Sequence, residues 1–253
     1  MANVIIMEPG EYEEKGYCVE RYHLLEEDIL RFLDFITLVF YTPAERKNIK
    51  SMYLADLLLR LGHNSEILLK DHLLSIPNYD TIVKVKPKRW DMNTYKILEN
   101  GLPQKKHNLH LAEKFVVLQP TFEHIYPFRS EKCVNWNDIG KSNKKENEKS
   151  QEDENNKDVY WWKNYTLMKH NAKFEEANLD IILKALAALF ILTIRFNKSA
   201  SSLIRYGYIQ STETSAMELE KNGEKQTGYI VSSKLFLLPE TFPKDRIVSK
   251  WSF

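Results

Sequence analysis

Val159–Phe196 reads VYWWKNYTLMKHNAKFEEANLDIILKALAALFILTIRF, and the rest of the chain is organised to pack on it or pair with it. At about 3.6 residues per turn, Lys163, Thr166, His170 and Lys173 fall on one side of a helix, and Trp161, Tyr165, Met168 and Ala172 on another. One side packs; the other carries two lysines and an imidazole. From Ala177 onward the apolar positions Ile181, Ala185, Ala188, Phe190, Ile191, Leu192 and Ile194 cover nearly the whole circumference, interrupted by Lys184. That pattern predicts a central helix over Ala177–Phe196, buried on most sides. Asn171 and Asn178, with Glu175 and Glu176 between them, mark a joint where one helix ends and the next is capped, because short polar side chains compete with the helical backbone.

Working outward, Tyr22–Tyr41 reads as a helix with an apolar stripe of Leu25, Ile29, Phe32, Leu33, Ile36 and Phe40, stopped by Pro43. Ser51–Leu74 reads as a second helix, with Leu54, Leu57, Leu58 and Leu61 before Gly62, and Ile67, Leu68 and Leu69 after it. Gly62 marks a bend or a close helix contact. Glu66 and Lys70, one turn apart, read as a surface pair worth roughly 0.2–0.5 kcal/mol.

Residues 77–140 form a mixed, partly extended insert. Thr81–Val85 and Phe115–Leu118 are short β-branched or aromatic runs that predict extended segments, and Trp90–Glu99 predicts a short helix ended by Asn100-Gly101. Lys84, Lys86, Lys88, Arg89, Lys105, Lys106 and His107 are locally basic, with Trp90 and Tyr95 nearby. Such a mix suits either a solvated edge or a nucleic-acid groove. Residues 141–158, KSNKKENEKSQEDENNKD, contain no apolar side chain and predict a disordered charged loop. Residues 199–253 read as a small β appendage. Leu203–Ile209 alternates, TGYIVSSKLFLLPETF has the same extended look, and Asn222-Gly223 suits a hairpin turn. The expected fold is therefore mainly α: one helical domain with inserts, a small β appendage and a disordered loop.

The 253 residues are 43% hydrophobic, enough for a sizeable core. With 36 basic and 35 acidic residues the net charge is +1, so no global field attracts nucleic acid or an anionic membrane, and any basic site is local. Cys18 and Cys133 fit neither a metal knuckle nor a disulfide scaffold, which points to a reducing compartment. The start, MANVIIMEPGEYEEK, lacks the basic and long apolar regions of a secretion signal. Ala185–Ile194 falls short of the ~20 residues that span a bilayer. A cytoplasmic chain without membrane partners is expected.

Phosphate-loop, dinucleotide-fold, zinc-protease and serine-hydrolase signatures are absent, and the seven histidines form no ligand set. No metal or cofactor is expected. What remains is Lys163 and His170 on one helical face, with Lys173 a turn on. An imidazole with an unperturbed pKa near ~6.5 moves protons at neutral pH, and flanking cations hold a phosphate and the charge that grows on it. Lys163 and His170 lie about 10 Å apart along the axis, so a second copy of the helix, brought up by dimerisation, would supply the missing groups.

The hairpin Leu24–Leu74, a variable insert, and then WWKNYTLMKHNAKFEEANL running into KALAALFIL resemble the HEPN superfamily of all-α proteins. Its members carry an Arg, often followed by a polar residue, and then a His a few positions on. The matching residues here are Lys163, Asn164 and, after five more, His170. The Lys169–Lys173 run, KHNAK, looks like a Lys-His-x-Arg pattern of abortive-infection and phage-defence relatives. The resemblance implies a helical bundle and a dimeric, metal-independent endoribonuclease acting on RNA, in phage defence or as a toxin. In that role His170 is the acid/base, Lys163 the charge stabiliser and Asn164 the orienting residue, with Lys173, Thr166 and Lys169 contacting substrate. Lys163 stands where the family has Arg and lacks its planar fork. The alternative is a non-catalytic interaction or scaffold module, antitoxin-like or regulatory, that binds a protein partner.

Overall fold

The computed structural model describes residues 17–34, 42–83, 92–95, 97–102, 109–129, 159–171, 173–195, 207–221 and 224–243. It is mainly helical with a small antiparallel sheet. The helices are α1 (Tyr17–Asp34), α2 (Pro43–Arg46), α3 (Met52–Leu74), α4 (Tyr79–Ile82), α5 (Met92–Tyr95), α6 (Ile97–Asn100), α7 (Tyr160–Asn171) and α8 (Leu179–Arg195). The strands are β1 (Val116–Leu118), β2 (Glu123–Ile125), β3 (Gln210–Lys221), β4 (Glu224–Ser232) and β5 (Phe236–Pro243). The charged loop 141–158 lies outside the described residues.

The centre is α8. Every residue from Leu179 to Ile194 is buried except half-buried Lys184, and α1, α2, α3 and α7 all pack against it. Each fully buried Leu, Ile or Phe here stabilises the fold by about 1.5–3 kcal/mol before entropy is charged against it. The helix starts where the joint was expected: Asn178 Oδ1 accepts the Ile181 N–H at 3.1 Å. Such a cap contributes about 1 kcal/mol. Asp180, in the first turn, is buried as well, and its partners are described below.

α1 begins before Tyr22, buries Leu25, Ile29 and Leu33 on α8 and α3, and is described as far as Asp34; Ile36 and Phe40 lie outside the described residues. Arg60 of α3 clamps it through Asp28 at 2.9 Å. Pro43 does more than stop a helix. It opens α2, where Thr42 Oγ1 accepts the Glu45 N–H at 3.3 Å and the Glu45 carboxylate accepts the Thr42 N–H at 2.7 Å, a complete capping box. Ser51 caps α3 from one side only: its Oγ accepts the Leu54 N–H at 3.1 Å.

Gly62 is a close contact and α3 continues through it. A Cβ there would lie 2.3 Å from Cγ and Cδ2 of the Tyr165 ring. Ring atoms next to the main chain cannot swing away cheaply, so overpacking outweighs the roughly 1 kcal/mol that alanine adds in a helix. We expect Gly62→Ala to lose about 1–2 kcal/mol in a urea titration; a gain in stability would show that the ring does not seat on Gly62.

Thr81 and Ile82, expected to be extended, belong to α4. The β-branched run is overridden locally: Thr81 Oγ1 donates to Asn78 O at 2.8 Å and Thr81 N–H donates to Asp80 Oδ1 at 3.1 Å. Val83 is extended, and Lys84 and Val85 lie outside the described residues. Within the helix expected over Trp90–Glu99, Met92–Tyr95 (α5) and Ile97–Asn100 (α6) are helical; Trp90, Asp91 and Lys96 lie outside the described residues.

The insert and the tail share one sheet, in the order β2-β1-β5-β4-β3. β1 meets β5 with Val117 opposite Leu237 and Leu118 opposite Phe236, so strands expected in two separate regions pair directly. Lys221 faces Glu224 across the β3–β4 hairpin; Asn222, Gly223 and Leu203–Tyr206 lie outside the described residues. The sheet is docked on the helices. Phe236 stacks on Phe190, which stacks on Tyr22, at 6.0 and 5.0 Å. Beside them buried Glu26 accepts the Ser233 hydroxyl at 2.5 Å and the Leu235 N–H at 3.0 Å. Burial, and then the Glu26 charge, push the Tyr22 phenol well above its ordinary range.

Candidate functional site

α7 is amphipathic by placement of its rings. Trp161, Trp162, Tyr165 and Met168 are buried, and Ala172 lies outside the described residues. Trp161 Nε1–H donates to Pro127 O at 2.8 Å, and Phe128 meets the same indole edge-on at 6.3 Å. Trp162 stands edge-on to Trp161, Tyr165 and Tyr95. These contacts fix the rotation of α7 about its axis.

That rotation puts Thr166, Lys169 and His170 in solvent, with exposed Lys173 just beyond the helix end and Lys163 half-buried. Lys163 and His170 are two turns apart, about 10 Å along the axis, so one protomer does not bring them onto a single phosphodiester. Asn164 lies on the opposite side. It is buried and its amide donates to Tyr160 O at 2.9 Å, within its own helix, which is not the contact to His170 or Lys163 that an orienting role would use. Lys169 and His170 occupy the last turn of α7, where positive charge complements the carbonyl end of the helix.

Lys169 is already engaged. Its Nζ lies 2.9 Å from Glu66 Oε2 and 5.4 Å from the centre of the Tyr165 ring, while Tyr165 donates its hydroxyl to the same carboxylate oxygen at 2.8 Å. Glu66 therefore turns across to α7, not along α3 to Lys70 as its spacing implied. A tertiary partner that also carries a ring offers more than an exposed neighbour one turn away. Burial pushes the Glu66 carboxyl up, but the bonds from Lys169 and Tyr165 and the nearby charges of Lys169 and His63 outweigh it and hold it below its usual range. Burial and Glu66 together push the Tyr165 phenol far up, so it stays a donor.

The sign is that of a depressed carboxylate. The ion pair contributes stability above the unfolded-state value near ~4.3 and loses it as pH falls through the lower folded value. We expect Glu66→Gln to flatten the acid side of a melting-temperature profile in that window. An unchanged profile would mean that the pair makes no net contribution.

A second charged group sits under the opening of α8. Arg46, fully buried, places Nη2 2.6 Å from Glu123 Oε2 and 3.6 Å from Asp180 Oδ1, and Lys184 Nζ reaches Asp180 Oδ2 at 3.0 Å. It joins α2, β2 and α8. The one sequence signal for it was Asp180 and Lys184, an acid and a base one turn apart inside an apolar helix. Glu66 and Tyr165 had no such signal, because their partners lie far away in the chain.

Compared with protein families, with curated proteins and with solved structures, the chain matches none. No helix among the described residues is long and apolar enough to cross a membrane.

Proposed function

We propose that this protein is a HEPN-like helical bundle that cleaves RNA without a metal, as a dimer, in the cytoplasm, in phage defence or as a toxin. The observation that carries the reading is the outer flank of α7: His170 stands in solvent and Lys163 is partly exposed on a helix whose other flank is locked into the core, with exposed Lys173 just past its end. In this reading His170 takes the proton of a ribose 2′-hydroxyl as that oxygen attacks the adjacent phosphorus. The 5′-oxygen leaves with a proton from the imidazolium of the second protomer, giving a 2′,3′-cyclic phosphate and a 5′-hydroxyl. Lys163 steadies the charge on the phosphoryl oxygens, and Lys173 and Thr166 hold the flanking backbone.

Lys163→Arg tests it. A guanidinium binds phosphate through a planar two-point fork where lysine offers a point charge, so cleavage by the purified protein in EDTA is expected to rise about five-fold, equivalent to about 1 kcal/mol of transition-state stabilisation. Cleavage that needs a divalent metal, or that ignores this substitution, counts against the assignment.

A non-catalytic module is the second reading. It is favoured by Lys169, which is spent on Glu66, and by Asn164, whose amide is spent on its own helix. Under it the same flank of α7 docks a protein partner, and purified protein leaves RNA intact.

A further inference from the structure

The basic run singled out in the sequence has its ring partner elsewhere: Tyr95 is buried edge-on to Trp162 and cannot serve a groove. A different mix of rings and cations is on display. Val117 and His124 are cross-strand partners in the β1–β2 hairpin, so by alternation Phe115, Val117, His124 and Tyr126 share one face, while Val116, Leu118 and Ile125 are buried on the other. On that outer face the Phe115 ring lies 5.0 Å from His124 and 5.2 Å from Tyr126. The Arg129 guanidinium lies 3.9 Å from the centre of the Tyr126 ring. His124 is exposed, and Phe115, Val117, Tyr126 and Arg129 each keep part of their surface in water.

Arg129 is held in a fixed orientation on this surface. Arg129 Nε–H donates to Ala112 O at 2.8 Å, which fixes the guanidinium plane, and its two terminal nitrogens have no partner among the described residues. The one acid between Lys114 and Arg129 is Glu123, and it is turned to buried Arg46. The hairpin face thus carries a cluster of rings, an imidazole and an oriented guanidinium, and exposed Glu113 follows the Ala112 whose carbonyl Arg129 grips. The surface is fastened to α7, because Pro127 and Phe128 hold Trp161.

We infer that the outer face of the β1–β2 hairpin is a stacking platform for unpaired bases of a single-stranded RNA, with Phe115, Tyr126 and His124 carrying about two bases and Arg129 taking the adjoining phosphate. The chemistry selects this occupant. A base offers a π-face to the ring cluster, and its backbone offers an anion to the terminal nitrogens of Arg129; a duplex hides both base faces. The platform does not depend on cleavage at α7, and RNA binding is separable from it.

The test is fluorescence anisotropy of the full chain with a short 2′-O-methyl single strand, which cannot be cleaved through its 2′-oxygen, and with a duplex of the same sequence. The single strand is expected to bind at least ten-fold more tightly. Phe115→Leu with Tyr126→Leu, which removes the rings and keeps apolar bulk, is expected to weaken it about ten-fold or more. His124→Ala removes an exposed side chain, so it is expected to weaken binding with melting temperature unchanged; Arg129→Gln also gives up the bond to Ala112 O, so its weaker binding is read with its melting temperature alongside. Arg129→Gln also lowers the salt slope by about one. His170→Ala keeps full binding, so a failed cleavage assay leaves this result standing. The inference is overturned if the wild type shows no saturable binding of the single strand, if it binds single strand and duplex equally, or if the ring and His124 variants bind as wild type does. Capture of a protein by this face in place of RNA overturns it equally.

Discussion

Arg46→Ala is expected to destabilise the protein by about 3–5 kcal/mol, the cost of leaving a buried charge without its partner. The magnitude follows from burial. The Arg46 and Asp180 side chains are 1% and 3% exposed, so removing the guanidinium strands a carboxylate inside the core with Lys184 alone to answer it. Glu123, at 28% exposure, can turn to water and contributes less. The native arrangement is itself not ideal, because Arg46 Nε and Nη1 are buried without a hydrogen-bond partner among the described residues. Charge and volume are therefore separable. Arg46→Met keeps much of the stem packing, and Arg46→Met with Asp180→Asn removes the stranded charge, so the double variant is expected to recover most of the loss. Added salt should change none of these differences much, since screening acts weakly on buried pairs. Chemical denaturation checks the series; equal stability of Arg46→Ala and wild type would show that the network does not hold α2 and β2 to α8.

How much of this was legible in sequence depended on whether a signal was local. α8 was readable because its apolar residues cover the whole circumference, and Asn178 because caps act within three residues. Gly62 was legible as a point of close contact, but the ring that fills it was not, since Tyr165 lies about a hundred positions on. Thr42-Pro43-Ala44-Glu45 carries a capping box in plain view. Read as a stop for the preceding helix, Pro43 concealed α2 and with it the position of Arg46.

The candidate site divides in the same way. The periodicity of α7 separated Trp161, Tyr165 and Met168 from Thr166, His170 and Lys173, and the structure keeps that separation. It gave no warning that Asn164 packs inward or that Lys169 is held by Glu66. Both depend on tertiary geometry: which side of α7 meets α3, and what α3 offers there. The mixing of insert and tail in one sheet was likewise hidden, because strand partners carry no sequence mark of each other.

His170→Ala is the second large effect, and it bears on the central claim that the exposed flank of α7 does chemistry. An acid/base imidazole contributes about 10²–10⁴-fold in rate. His170 is exposed and outside the core, so its removal is expected to cost little stability. The decisive measurement is cleavage of a single-stranded RNA by purified wild type and His170→Ala side by side in EDTA, with melting temperature and association state recorded on the same samples. Cyclic-phosphate products are expected from the wild type, with a loss of about 10²-fold or more in the variant and matching melting and association. Equal cleavage by both proteins, or none by the wild type, would contradict the central claim.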